Sequence, residues 1–131
     1  MRILPAIEEV KSADSGRFTR VMLSGNVGKL PVPLREPVAR YLLGSQVLVA
    51  AGHVTDPLSP EKGAVVPFGF STDGEWAWPT YWGYFVREYG AHVPDDFVAC
   101  VQKRNFHPPQ LSSDEVAAAM NAVQRALSGS E

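Results

Sequence analysis

The stretch FSTDGEWAWPTYWGYFVREYG, residues 70–90, changes its hydrophobic period in the middle, and that change decides the fold. Up to Pro79 the pattern alternates, with Trp76 and Trp78 on one face of a strand and Glu75 and Ala77 on the other. Beyond it, Trp82, Phe85, Val86 and Tyr89 recur at the spacing of an amphipathic helix, opened by Pro79 and closed by Gly90. Asp73-Gly74 is a dipeptide favoured in tight hairpin turns, where both central residues must tolerate positive φ. Val65 to Phe70 and Glu75 to Trp78 therefore read as the two arms of a hairpin. A sheet that gives way to helices predicts an α+β fold: a small antiparallel sheet covered by helices, with a helical C-terminal half.

Upstream, Gln46 to Ala51 (QVLVAA) is an apolar run too short for a helix and rich in β-formers, which predicts a strand buried on both faces. Before it, Pro37 suits the first turn of a helix, Val38, Tyr41 and Leu42 share a side, and Gly44 supplies the stop, so a helix of about two turns is expected. Gly52 to Gly63, with Asp56, Pro57, Ser59, Pro60 and Lys62, reads as a surface loop. In the first third, Asp14 caps a short helix carrying Phe18, Val21 and Met22, or else a strand runs from Phe18 to Leu23. Either element covers the core.

Downstream, Pro94 starts a helix with Asp95 and Asp96 in its first turn and Lys103 and Arg104 in its last, which suits both ends of the helix dipole. Phe97, Cys100 and Val101 are its inward side. After Pro108-Pro109, Ser112 and Glu115 have capping-box spacing, and Val116, Met120, Val123 and Leu127 form the stripe of a final helix.

At 131 residues the chain is the size of one domain, and 45% hydrophobic and 20% charged residues suit a globular protein. Twelve basic residues scattered among fourteen acidic ones argue against nucleic acid as the main partner. The single cysteine, Cys100, makes no disulfide within the chain, which points to a reducing compartment. Pro5, Glu8 and Glu9 interrupt the N-terminus, and no stretch approaches the roughly eighteen apolar residues of a membrane span. A cytoplasmic protein without a membrane partner is expected.

Candidate chemistry is sparse. His53 and Asp56 are near enough to share a proton or a metal, but no third ligand stands at useful spacing and a Gly and Pro loop explains them as well. His92 and His107 fall at helix boundaries. Cys100 lies on an apolar stripe, where packing explains it better than nucleophilic attack. Asp73 and Glu75 resemble an acid/base pair, yet the turn already accounts for Asp73. No phosphate-cradling loop or nucleophile elbow is present, so no catalytic residue, cofactor or metal is expected. Pro108 and Pro109 lengthen the link between the last two helices, and the final helix carries Arg125 alone as a basic residue, which disfavours a helix-turn-helix. Seven aromatics, Trp76, Trp78, Tyr81, Trp82, Tyr84, Phe85 and Tyr89, fall within fourteen residues. The inward set reads as core, while Tyr81, Tyr84 and Glu88 are expected on the outer side of the helix as a binding surface.

The stretch FSTDGEWAWPTYWGYFVREYGAHVPDDFVACVQKRNF resembles small bacterial proteins encoded beside polymorphic toxins, the immunity proteins. Thr72, Asp73, Gly74, Trp76, Trp78, Pro79, Tyr84, Tyr89, Pro94, Asp95 and Phe97 carry the likeness, which spans roughly residues 37 to 106. It implies a protein that binds and neutralises one cognate toxin and has no catalysis of its own. The matching residues are mostly turn and core residues, so they speak for a shared fold and do not mark a toxin-binding site. A small ligand-binding module or enzyme using the Trp/Tyr cluster, and an interaction subunit of an unrelated complex, stay open beside it.

Overall fold

The computed structural model describes residues 1–10 and 19–128; the expected cap at Asp14 and Phe18 lie outside them. At its centre is the hairpin of β5 (Val66–Thr72) and β6 (Trp76–Pro79), antiparallel with Ser71 opposite Trp78 and Thr72 opposite Ala77. Side chains tie its turn. Asp73 Oδ1 accepts the N–H groups of Glu75 and Trp76 at 2.9 and 2.7 Å, and the Thr72 hydroxyl donates to the Trp76 carbonyl at 2.7 Å. Gly74 takes φ +93° while Asp73 stays at negative φ, so the expectation of two positive-φ residues is corrected. An aspartate that bonds two following N–H groups makes the turn by itself and needs the left-handed region only at the glycine. Trp76 and Trp78 are both buried, and Phe97 meets them edge-on at centroid distances of 5.2 and 5.5 Å.

Two further strands complete a mixed sheet. β4 (Gln46–Val54) runs antiparallel to β5, and β1 (Arg2–Ile3) lies parallel to β6, giving the order β1-β6-β5-β4. β2 (Ala6–Ile7) and β3 (Arg20–Val21) form a small parallel pair. The β4 expectation fails in one respect: the strand is an edge, with Val47 46% and Val49 42% exposed, and not a strand buried on both faces. Its register slips between Val47 and Val49 and again between Ala50 and His53, as edge strands often do. Gly69 of β5 sits so near this strand that a Cβ there would overlap the Val49 carbonyl oxygen.

Among the described residues four helices pack on this sheet: α1 (Val32–Gly44), α2 (Tyr81–Tyr89), α3 (Asp95–Lys103) and α4 (Ser113–Ser128). The helix expected to open at Pro37 begins five residues earlier, at Val32, and holds Pro37 in its interior. Pro31 as the capping residue and Pro33 in the first turn make the true start. Pro79 is the last residue of β6 and not the first of α2, while Gly90 ends α2 in the left-handed conformation as expected. α1 and α2 lie close: a Cβ on Gly83 would stand 2.5 Å from Leu43 Cγ. The α4 capping box is formed reciprocally, Ser112 N–H to Glu115 at 2.9 Å and Glu115 N–H to Ser112 Oγ at 3.2 Å. Leu4, Ile7, Leu23 and Leu30 are buried, so the N-terminal third does cover the core, and Arg20–Val21 is strand. Among the described residues no helix is long and apolar enough to cross a membrane.

Candidate functional site

Among the described residues two aspartates are buried with the core, and each is surrounded by donors. Asp56 was expected on a surface loop; it is 0% exposed. Its Oδ1 accepts the N–H groups of Leu58 and Ser59 at 2.9 and 3.2 Å, which turns the chain after β4. Its Oδ2 accepts the hydroxyls of Tyr84 at 2.8 Å and Tyr89 at 2.7 Å, both from α2. Burial pushes this carboxyl up, but the bonds from Tyr89, Tyr84, Leu58 and Ser59 outweigh it and leave the pKa below the usual carboxylate value. The two phenols move the other way, raised by burial and then by the carboxylate they bond. The surface loop is thus pinned to α2 through one carboxylate.

Asp73 is 1% exposed. Besides closing the hairpin turn, its Oδ2 accepts the Tyr41 hydroxyl at 2.6 Å and pairs with the Arg104 guanidinium at 2.9 Å. Arg104 also reaches the Tyr41 oxygen at 3.0 Å and Glu75 at 3.4 Å. The Asp73 and Glu75 carboxylates are therefore bridged by one cation and do not face each other as an acid and a base. No glycine follows α3, and Asn105 and Phe106 themselves take φ of 54° and 59° to turn the chain. Left-handed non-glycine residues cost about 1–2 kcal/mol each. Cys100 is half-buried nearby, its thiol pushed up by burial and by the Asp73 charge. A raised thiol on a packed helix is a poor nucleophile.

The expected binding residues separate. Tyr81 is 3% exposed, tilted against Phe85, and its oxygen accepts the Ile7 N–H at 2.9 Å; burial pushes its pKa up to about 12. Its place on the outer side of the helix is corrected, because the β2 segment covers that side of α2. Tyr84 is half-buried on Asp56, and Glu88 is exposed, 3.8 Å from the Lys62 ammonium. His53 lies exposed on β4 opposite Pro67, apart from the bonds that Asp56 makes. Among the described residues no group of three or more His, Cys, Asp or Glu is placed to hold a metal. Sequence reasoning missed Tyr41, Arg104 and the joint role of Tyr84 and Tyr89. For the last, the sole signal is the five-residue spacing of two tyrosines on one helix.

Chemically, both aspartates have their acceptor positions filled by groups that shape the fold. What the surface offers instead is β4. Among the described residues no strand pairs with its outer edge, and Gln46 to Val54 carries no Asp, Glu, Lys or Arg. The exposed Leu58 follows it in the pinned loop, and the exposed Val65 flanks Val66, the partner of Val54. No known family matches the chain, and no curated protein and no solved structure matches it.

Proposed function

We propose that the protein is a non-catalytic, cytoplasmic binding module that neutralises a cognate bacterial toxin by direct contact, as the resemblance of residues 37 to 106 implies. The observation that carries this reading is β4, an uncharged edge with exposed Val47 and Val49 beside a loop held rigid by Asp56. A free edge gives a partner strand main-chain hydrogen bonds, and pockets for alternate side chains give it selectivity. A loop fixed beforehand loses little entropy on binding. The buried carboxylates add support, since groups already saturated with structural bonds have no spare capacity to move protons. The rival that assigns the Trp/Tyr cluster to a ligand or a reaction has less behind it, because Trp76, Trp78, Tyr81, Trp82 and Phe85 are all core.

Lys62, in the pinned loop, pairs with Glu88 at 3.8 Å. The Tyr81 and Tyr84 contact surface gives way to β4 and residues 55 to 63. The test begins from the toxin domain encoded beside the gene, expressed with the protein in one cell. Val47→Lys with Ala50→Lys should abolish protection and weaken binding by at least a hundredfold while the thermal midpoint stays put. Full protection by that variant rules out the β4 face, and an adjacent gene encoding no toxin counts against the function itself.

A further inference from the structure

α4 does not sit flush on the sheet. Its inward stripe is only partly covered: Val123 is buried, but Met120 and Leu127 stay half-exposed. Across from them, Val49 and Ala51 of β4 are also left open. Between the two walls is a cavity of about 240 Å³, floored by Phe68, Gly69 and Phe70 of β5 and lined also by Ala6, Val10, Pro79 and Tyr81. The Val49 carbonyl holds position 69 to glycine, which keeps the floor low.

We infer that this cavity is a binding site for a small, neutral, largely hydrocarbon molecule with one hydrogen-bonding group. The chemistry of the walls argues the class. Among the described residues none that lines the cavity is charged, so a carboxylate or ammonium buried there would lose its hydration without a counter-ion from the wall. Among the described lining residues the Tyr81 oxygen already accepts a backbone N–H, whereas the Gln124 amide oxygen is an acceptor that a ligand N–H can use. Gln124 also lines a shallow polar depression with Asn121 and Arg125, so it marks the mouth of the cavity. Size sets the scale: an apolar cavity of about 150 Å³ accepts benzene and otherwise stays dry, so the larger one here suits roughly ten non-hydrogen atoms. A bicyclic aromatic such as indole has that size and one N–H donor, which the amide oxygen of Gln124 can accept. The site shares Val49 with the β4 surface, but neither Val47 nor Ala50 lines it, so the lysine variants that test that surface leave the cavity walls in place.

Titration of the full chain with indole, with naphthalene and with octanoate, followed by calorimetry and by methyl shifts of Met120, Val123 and Leu127, tests the assignment. Indole and naphthalene should bind one to one and shift those methyls, and octanoate should bind at least tenfold more weakly. Ala51→Phe, which fills the cavity from its rim, should weaken both aromatics at least tenfold in a protein that keeps its thermal midpoint. Gln124→Leu should weaken indole several-fold and leave naphthalene unchanged, and it tests the site even if the Ala51 variant does not fold. Absence of saturable binding by either aromatic, or equal binding of octanoate, overturns the proposal.

Discussion

The Tyr84 hydroxyl and the Asp56 carboxylate meet at 2.8 Å across 28 residues of sequence, and Tyr89 joins the same oxygen at 2.7 Å. One buried charge therefore fixes both the loop after β4 and the outer side of α2. Removing it should cost more than removing either phenol. Asp56→Ala leaves two hydroxyls and two N–H groups without their acceptor and is expected to lower stability by about 3 kcal/mol. Tyr84→Phe should cost about 1 kcal/mol, because the other three donors remain. Urea denaturation of the three proteins checks the order. Equal losses would mean that the carboxylate is not the hub.

The same carboxylate should set part of the acid limb of stability. Burial pushes its pKa up and the hydrogen bonds, Tyr89 first, pull it down further, so the folded value lies below the unfolded one. The unfolded chain then binds the proton more readily, and this contribution is complete above the unfolded value of about 3.9. It is lost as pH falls through the lower folded value. Denaturation midpoints of the parent and Asp56→Asn should differ at neutral pH and converge below about pH 4. A gap that widens in acid reverses the sign and rejects the assignment.

Arg104 should matter through the charge it covers. Its guanidinium is partly exposed, but Asp73 beneath it is buried, so Arg104→Met leaves an uncompensated carboxylate in the core. Breaking such a pair typically costs about 3–5 kcal/mol, against 1 or less for a surface pair. Asp73→Asn combined with Arg104→Met should recover part of the loss, since the unpaired charge is then gone. A double-mutant cycle with no coupling would show that Tyr41 and the turn N–H groups suffice for Asp73.

What was legible in the sequence is what local periodicity encodes. The capping box at Ser112 and Glu115, the inward pair Trp76 and Trp78, and Gly90 at the end of α2 all depend on neighbours a few residues away, and each is found. The burial of Gln46 to Ala51 was misread, because an apolar run looks the same whether a neighbouring strand covers it or it is left at an edge. Asp56 was misread because Asp among Pro and Gly is ordinary turn composition, and its burial comes from two tyrosines on a later helix. Tyr81 stands four residues before Phe85, on the same side of α2, so its inward place was within reach of the spacing.

Cys100 offers a check on the packing of α3. Burial and the Asp73 charge raise its thiol, and the thiolate is the reactive form. Reaction with a disulfide reagent at mildly alkaline pH should be slow in the native protein and accelerate sharply in urea, and Cys100→Ala should leave the proposed toxin neutralisation unchanged. Rapid native labelling would mean that α3 opens locally or that the thiol is not held as described.

The exposed edge and the buried hairpin should respond oppositely to substitution. Val47 is 46% exposed, so Val47→Lys removes little buried area and should change stability by no more than about 0.5 kcal/mol. Trp78 is fully buried against Phe97, and Trp78→Ala should cost about 3–5 kcal/mol, enough to unfold a marginal domain. Trp78→Phe is the informative intermediate. Among the described residues the indole N–H of Trp78 has no hydrogen-bond partner, so phenylalanine deletes volume without breaking a bond, and the loss should be well under that of alanine. If instead Trp78→Phe is as damaging as Trp78→Ala, the N–H has a partner that matters and the hairpin face is packed differently. Alkaline or acid pH should not alter the Trp78 ranking, because an indole carries no titrating proton, whereas Val47→Lys should raise solubility by placing a charge on an edge that otherwise invites strand pairing.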